Sequence, residues 1–209
     1  MGYMITDYKA AGKGRIGICL NNSKTLWLYA GEARQLSLEP GMELSEEQYQ
    51  HILHGVIGRR AVKRAMHLLE RQDRTKQQLC DKLLQSGYPP EAVEDAVSYV
   101  QKYHYLDDGR YARTYIRNHQ DKRSRLRLRQ DLLRRGVPKE IIDQSMQEEF
   151  CFDEREQIKS LLEKRRFDPD TADAKETGKI YRFLLGRGFR SSDISAVLRD
   201  AGQQDMFVP

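Results

Sequence analysis

Few residues of this 209-residue chain stand in a pattern that could break or make bonds. Asp107 and Asp108 are a carboxylate pair of the kind that holds a metal ion, but they stand immediately before a helical pattern with no ordered set of Asp, Glu or His beside them. In that place a carboxylate caps free N–H groups of the first turn and favours the positive end of the helix dipole. His51 and His54 share a helical face, yet a zinc site needs further ligands and none is in reach by sequence. Gly12-x-Gly14 has no following helix and is not a phosphate loop. Cys19, Cys80 and Cys151 are odd in number and far apart, which predicts buried, reduced thiols in a cytoplasmic protein. No Ser-His-Asp or Cys-His arrangement stands out, so the expectation is a binding protein without catalytic residue, metal or cofactor.

What could bind is concentrated in one stretch. From Arg110 to Arg135 the chain carries ten Lys/Arg against Asp121 and Asp131, a local charge of +8 in a protein whose total is +5. The remainder therefore sums to −3, and such a patch seeks a polyanion or an acidic protein face. Arg113 and Arg117 follow i,i+4 spacing on one predicted helix, and Lys122 and Arg123 precede the next. On that next helix Leu128, Leu132 and Leu133 predict the inner stripe, Arg125, Arg129 and Arg134 an outward sector, and Arg127 and Arg135 the flanks. With local acids nearly absent, these nine residues are the candidate site. Tyr103, Tyr105, Tyr111 and Tyr115 cluster around the same region and predict packing between neighbouring units rather than base stacking.

The elements that must position these residues are mostly helices. Residues 1 to about 44 read as β: Arg15–Leu20 and Thr25–Ala30 flank the turn residues Asn21-Asn22-Ser23-Lys24, and Tyr3–Tyr8 predicts a third strand. Ser45-Glu-Glu-Gln48 is a capping box that starts a helix ending near Gly55. Beyond Gly58 the pattern is helical and it repeats. Leu83-Leu84-x-x-Gly87, Leu132-Leu133-x-x-Gly136 and Leu184-Leu185-x-x-Gly188 recur at intervals of 49 and 52 residues. Apolar residues stand eight before each glycine (Leu79, Leu128, Ile180) and six after it (Val93, Ile142, Ile194). Thr75 and Ser124 stand where an N-cap belongs, but Glu176 holds that place in the third copy, whose cap must lie elsewhere.

Each copy predicts three short helices. The glycine ends the second helix in the left-handed conformation, the next residue (Tyr88, Val137, Phe189) closes over that end, and Pro89-Pro90 or Pro138 opens the third helix. The first helices are expected over 59–71, 108–120 and 153–166. One such trio buries too little to be comfortable alone, and tandem packing solves that. The expected organisation is an N-terminal β-hairpin and helix over 1–57, trios over 58–106, 107–151 and 152–201, and a tail over 202–209. Hydrophobic content of 39% against 32% charged suits an elongated curved array better than one ball. No apolar run approaches the ~18–20 residues that span a bilayer, and the N-terminus lacks a signal-peptide core, so no membrane association is expected.

The run Tyr105-Leu106-Asp107-Asp108-Gly109-Arg110-Tyr111-Ala112, followed by Tyr115-Ile116-Arg117, resembles the signature of the RecX family, regulatory proteins of the RecA recombinase. Arg74-Thr75-x-x-x-Leu79 with Leu83, Gly87 and Tyr88 is similar to that family's first repeat, and Leu126-Arg127-x-Arg129-Gln130-x-Leu132 with Gly136-Val137 to its second. The resemblance implies a non-enzymatic monomer that lodges along the RecA–DNA filament and suppresses its ATPase and strand exchange, in contact with RecA and with single- or double-stranded DNA. The alternative from another class is a free-standing DNA-binding module with helix-turn-helix-like units.

Overall fold

The computed structural model describes residues 2–12, 14–168 and 171–201. The tail at 202–209, Pro169 and Asp170 of the acidic linker, and the middle residue of Gly12-x-Gly14 lie outside them. Mainly helical apart from a small N-terminal sheet, the chain divides into two halves, Met1–Asp107 and Asp108–Pro209.

In the first half, β1 (Tyr3–Ala11), β2 (Arg15–Leu20), β3 (Thr25–Tyr29) and β4 (Glu43–Leu44) form an antiparallel sheet in the order β3-β2-β1-β4. The expected hairpin pairs Ile18 with Leu26 and Ile16 with Leu28, and Ile5, Ile18, Leu20, Leu26 and Leu28 are all buried. Gly17 is a packing requirement, since a Cβ there would stand 2.7 Å from the Trp27 ring. The short α1 (Ala30–Gln35) was not legible in the sequence; Glu32 caps it by accepting the Tyr29 N–H at 2.7 Å.

Ser45 and Gln48 make the expected reciprocal capping box at the start of α2 (Glu46–Gln50). The helix does not end near Gly55. It continues through a π-helical segment, His51–Gly58, directly into α3 (Arg59–Arg71). A mid-helix glycine costs only about 1 kcal/mol, and burial of Ile52, Leu53 and Ile57 in the first core offsets it. With α4 (Lys76–Gln85) and α5 (Pro90–Lys102), α3 makes the first trio, and its apolar face shares one core with the sheet.

The second half holds α6 (Asp108–His119), α7 (Arg125–Arg134) and α8 (Lys139–Glu149), then α9 (Glu154–Lys164), α10 (Ala174–Gly186) and α11 (Ser191–Ala201). Each trio has its own core, one around Ile116, Leu128, Leu132 and Ile142, the other around Ile158, Leu184, Phe189 and Ile194.

The threefold repeat is visible atom by atom at the ends of α4, α7 and α10. Gly87, Gly136 and Gly188 have φ of 85°, 79° and 88°. Each donates to the carbonyl of the second leucine (Leu84, Leu133, Leu185) at 2.9 Å, and the next residue donates to that of the first (Leu83, Leu132, Leu184) at 3.1–3.3 Å. This is the Schellman pattern, with its apolar closing contact supplied by Tyr88, Val137 and Phe189. Thr75 and Ser124 cap α4 and α7 by accepting from Gln78 N and Arg127 N, and in the third trio Asp173 accepts from Glu176 N.

Three expectations about burial are corrected. The second leucine of each pair faces solvent, Leu133 among them, because the Schellman turn buries the first leucine and aims the second outward. Tyr103 and Tyr105 are exposed, while Tyr115 packs inside the second core and Tyr111 lies half-buried against it. Cys151 is exposed rather than buried, and Cys19 and Cys80 are half-buried.

Candidate partner-binding site

The basic residues of the second trio are gathered by α6, the loop that joins it to α7, α7 itself and the residue just after it, and several of the acids that meet them come from further along the chain. Helix α8 carries Asp143, Glu148 and Glu149, all outside the window whose charge made the patch conspicuous. Arg117 donates to both carboxylate oxygens of Glu149, at 3.0 and 2.6 Å. That pair holds the Glu149 carboxyl below the ordinary glutamate range and the Arg117 guanidinium above its own. Arg113 reaches Glu148 at 3.5 Å, and Arg129 is joined to Asp143.

Asp131, the one acid within α7, is almost buried and serves three guanidinium groups. Arg123 pairs with it and also donates to the Tyr115 hydroxyl at 2.7 Å; Arg127 lies 3.3 Å from its other oxygen and Arg134 3.7 Å from the same one. Arg135 lies with its guanidinium 4.8 Å from the Tyr115 ring centroid. Burial pulls its pKa down, but the hydrogen bond with Tyr115 and the neighbouring Tyr111, Tyr115 and Asp131 charges leave it above the ordinary arginine value. Lys122 is exposed, 3.5 Å from Asp121.

The expectation that local acids are nearly absent is therefore corrected: most of these cations are neutralised within the trio. Arg129, expected to face outward, is two-thirds covered beside Asp143. Arg125 keeps an outward guanidinium with no ion pair among the described residues, 5.9 Å from the Phe150 ring centroid, and Arg134 is 63% exposed with only its long contact to Asp131. Of the nine candidate residues, Arg125, Arg134 and Lys122 are the ones left available to a partner.

The third trio joins this surface at the start of α7. Ser124 N donates to Arg187 O at 3.2 Å, and Ser124 Oγ donates to Gly188 O at 2.6 Å while accepting from Arg127 N. The free N–H end of α7 thus meets the free carbonyl end of α10, satisfying orphan groups of both helices at once. Glu154 accepts the Arg125 N–H at 2.8 Å, Arg187 donates to Lys122 O at 2.6 Å, and Gln157 donates to Gln120 O. Arg187 and Arg165 both lie against the Phe183 ring, at 4.4 and 3.7 Å from its centroid. Burial and the nearby Arg165 and Arg123 charges lower the Arg187 pKa. The one sequence signal for these two arginines was their place just past the last turn of a helix.

The residues considered for other chemistry are placed elsewhere. His54 Nδ1 sits 2.5 Å from Asp95 Oδ2, and among the described residues no group of three His, Cys, Asp or Glu is placed to hold a metal. Asp108 begins α6, and no described helix is long and apolar enough to cross a membrane.

Comparison with known proteins agrees with the repeat count. Models of the first, second and third three-helix domains of RecX match residues 61–99, 107–146 and 153–198. The regulatory protein RecX of Caldanaerobacter subterraneus subsp. tengcongensis is 33% identical over 165 residues, 78% of this chain and 81% of its own. That of Vibrio parahaemolyticus is 36% identical over 135 residues, 64% of this chain and 86% of its own. A crystal structure of a regulatory protein RecX aligns over 95% of this chain and 99% of its own, with TM-score 0.59 and 26% identity. Matched in all three helical trios, and by a relative of that identity over most of its length, the chain belongs to the RecX family of regulatory proteins.

Proposed function

We propose that this chain is a non-enzymatic, cytoplasmic inhibitor of the RecA recombinase, a monomer that binds along the RecA–DNA filament and suppresses ATP hydrolysis and strand exchange. The observation that carries the reading is a feature presented three times over. Leu84, Leu133 and Leu185 occupy the same step of the same turn in their trios and are 46%, 45% and 43% exposed. A leucine left in water at equivalent positions of three units suits a partner that itself repeats. Modest contacts made to successive protomers of a polymer multiply through effective concentration. Arg125, Arg134 and Lys122 of the middle trio add outward charge for an acidic face or for phosphate.

The test is a titration of the purified protein into RecA hydrolysing ATP on single-stranded DNA. The expected outcome is slowing at substoichiometric amounts, with weaker inhibition by Arg125→Glu/Arg134→Glu at unchanged helical content. Unaltered ATPase and strand exchange at saturating protein would remove the reading.

A further inference from the structure

The patch conspicuous in the sequence is largely neutralised, and a helix that no charge sum singled out is not. Helix α3 carries Arg59, Arg60, Lys63, Arg64 and Arg71 against one acid, Glu70. Its inner face, Ala61, Ala65 and Leu68, is buried in the first core. Opposite, Arg59, Lys63, His67 and Arg71 follow each other at i,i+4 and are all exposed. With a rise of 1.5 Å per residue they make a row about 18 Å long, with a side chain roughly every 6 Å. Arg60 is paired with Glu32, and Glu70 stands 3.8 Å from His67. Among the described residues, the side chains of Arg59, Lys63 and Arg71 make no ion pair, hydrogen bond or ring contact, whereas Arg113, Arg117, Arg123, Arg127 and Arg129 each have a carboxylate.

We infer that the exposed row of α3 is a nucleic-acid contact surface that takes the phosphodiester backbone, with Arg59, Lys63 and Arg71 each facing a phosphate. An acidic protein face fits it less well. Stable protein interfaces place an apolar or aromatic anchor at their centre, while the apolar side chains of α3 that are not fully buried, Val62, Met66 and Leu69, pack back against the first core. What remains is a line of three cations, at steps of about 6 and 12 Å, without an anchor. Such a line binds a polyanion by releasing its counterions and carries no sequence preference. This contact needs no recombinase, so it stands or falls apart from the inhibition proposed above.

The experiment is fluorescence polarisation of a labelled single-stranded oligonucleotide, and separately of a duplex, with the full chain over a range of salt and no RecA present. Three phosphate contacts on a single strand contribute about 2 to the log–log salt slope, which is on the order of a hundredfold in affinity at 0.1 M salt. Arg59→Gln/Lys63→Gln/Arg71→Gln keeps helix-forming side chains and is expected to lose that part of the slope and affinity with helical content intact. The matched control, Arg113→Gln/Arg117→Gln, removes cations already paired and is expected to change the slope little. A dominant loss on the duplex identifies paired rather than single-stranded DNA as the source of the phosphates and supports the surface equally. No binding by the unaltered chain, an unchanged slope in the triple variant, or an equal loss in the control would each overturn the inference. So would a triple variant that binds both oligonucleotides normally yet no longer inhibits RecA, since the row would then be a protein-docking surface.

Discussion

Helix α7 carries Arg125, Arg127, Arg129 and Arg134 with one acid, Asp131, and helix α3 carries Arg59, Arg60, Lys63, Arg64 and Arg71 with one acid, Glu70. As strings the two are nearly equivalent, yet the side chains have different tasks. On α7 the lone acid is turned inward and shared by three guanidinium groups, and α8 supplies a further carboxylate to Arg129. Among the described residues only Arg60 of α3 finds a carboxylate on another element, and the outward row is left to solvent. Arg127 and Arg129 on α7 help hold a trio together, while Arg59 and Arg71 on α3 stay in solvent. Charge in a sequence window measures neither.

The largest expected consequence lies at Asp131. Asp131→Asn leaves Arg123 and Arg127 without their carboxylate beside the second core. Losing one partner of a buried ion pair costs roughly 3–5 kcal/mol; with the arginines about a third exposed, about 2 kcal/mol is expected here. The urea midpoint measures it, at constant m. Lys63→Gln on α3 is expected to stay within about 0.5 kcal/mol, as surface changes do. If the two substitutions cost the same, the contrast between the helices is void.

A smaller effect separates neighbours on α7. Arg129→Glu sets a carboxylate against Asp143 and is expected to cost about 1 kcal/mol. Arg125 has no ion pair among the described residues, and Arg125→Glu is expected to cost less than about half of that. Thermal melts of the two single variants read the difference. Equal melting temperatures would mean that the Arg129–Asp143 pair contributes nothing.

The smallest effect is a pH dependence. Glu149 has its carboxyl lowered by Arg117, so its contribution is present above the ordinary glutamate pKa and is lost as pH falls through the lowered one. Glu149→Gln is accordingly expected to flatten the acid limb of stability and to leave stability above neutral pH with little further pH dependence. An acid limb identical to that of the unaltered chain would show that the pair does not report on folding.

How much of this was legible follows from the range over which each feature is encoded. The Schellman ends at Gly87, Gly136 and Gly188, and the caps at Thr75, Ser124 and Ser45, are settled within four to six residues, so local chemistry reveals them. Of the first helices, 59–71 agrees with α3 and the other two differ from α6 and α9 by one or two residues at an end. The passage through Gly55 was not legible, because burial of Ile52 and Ile57 outweighs a stop signal that is only local. Nor was the pairing of the basic patch, whose acids at Asp143, Glu148 and Glu149 lie 14 to 35 residues from their arginines. The α3 row stayed hidden for the opposite reason: acids elsewhere in the chain cancelled it in the sum.

Ser124 has one consequence for how a protein of this kind can be divided. Its hydroxyl is at once the cap of α7 and a donor to the turn that ends α10, and the next amide, on Arg125, is met by Glu154. A chain cut after Phe150 would contain every helix of the middle trio and still lack the groups that finish its second helix. The last two copies are therefore not beads that can be removed one at a time, because each ends where the other begins.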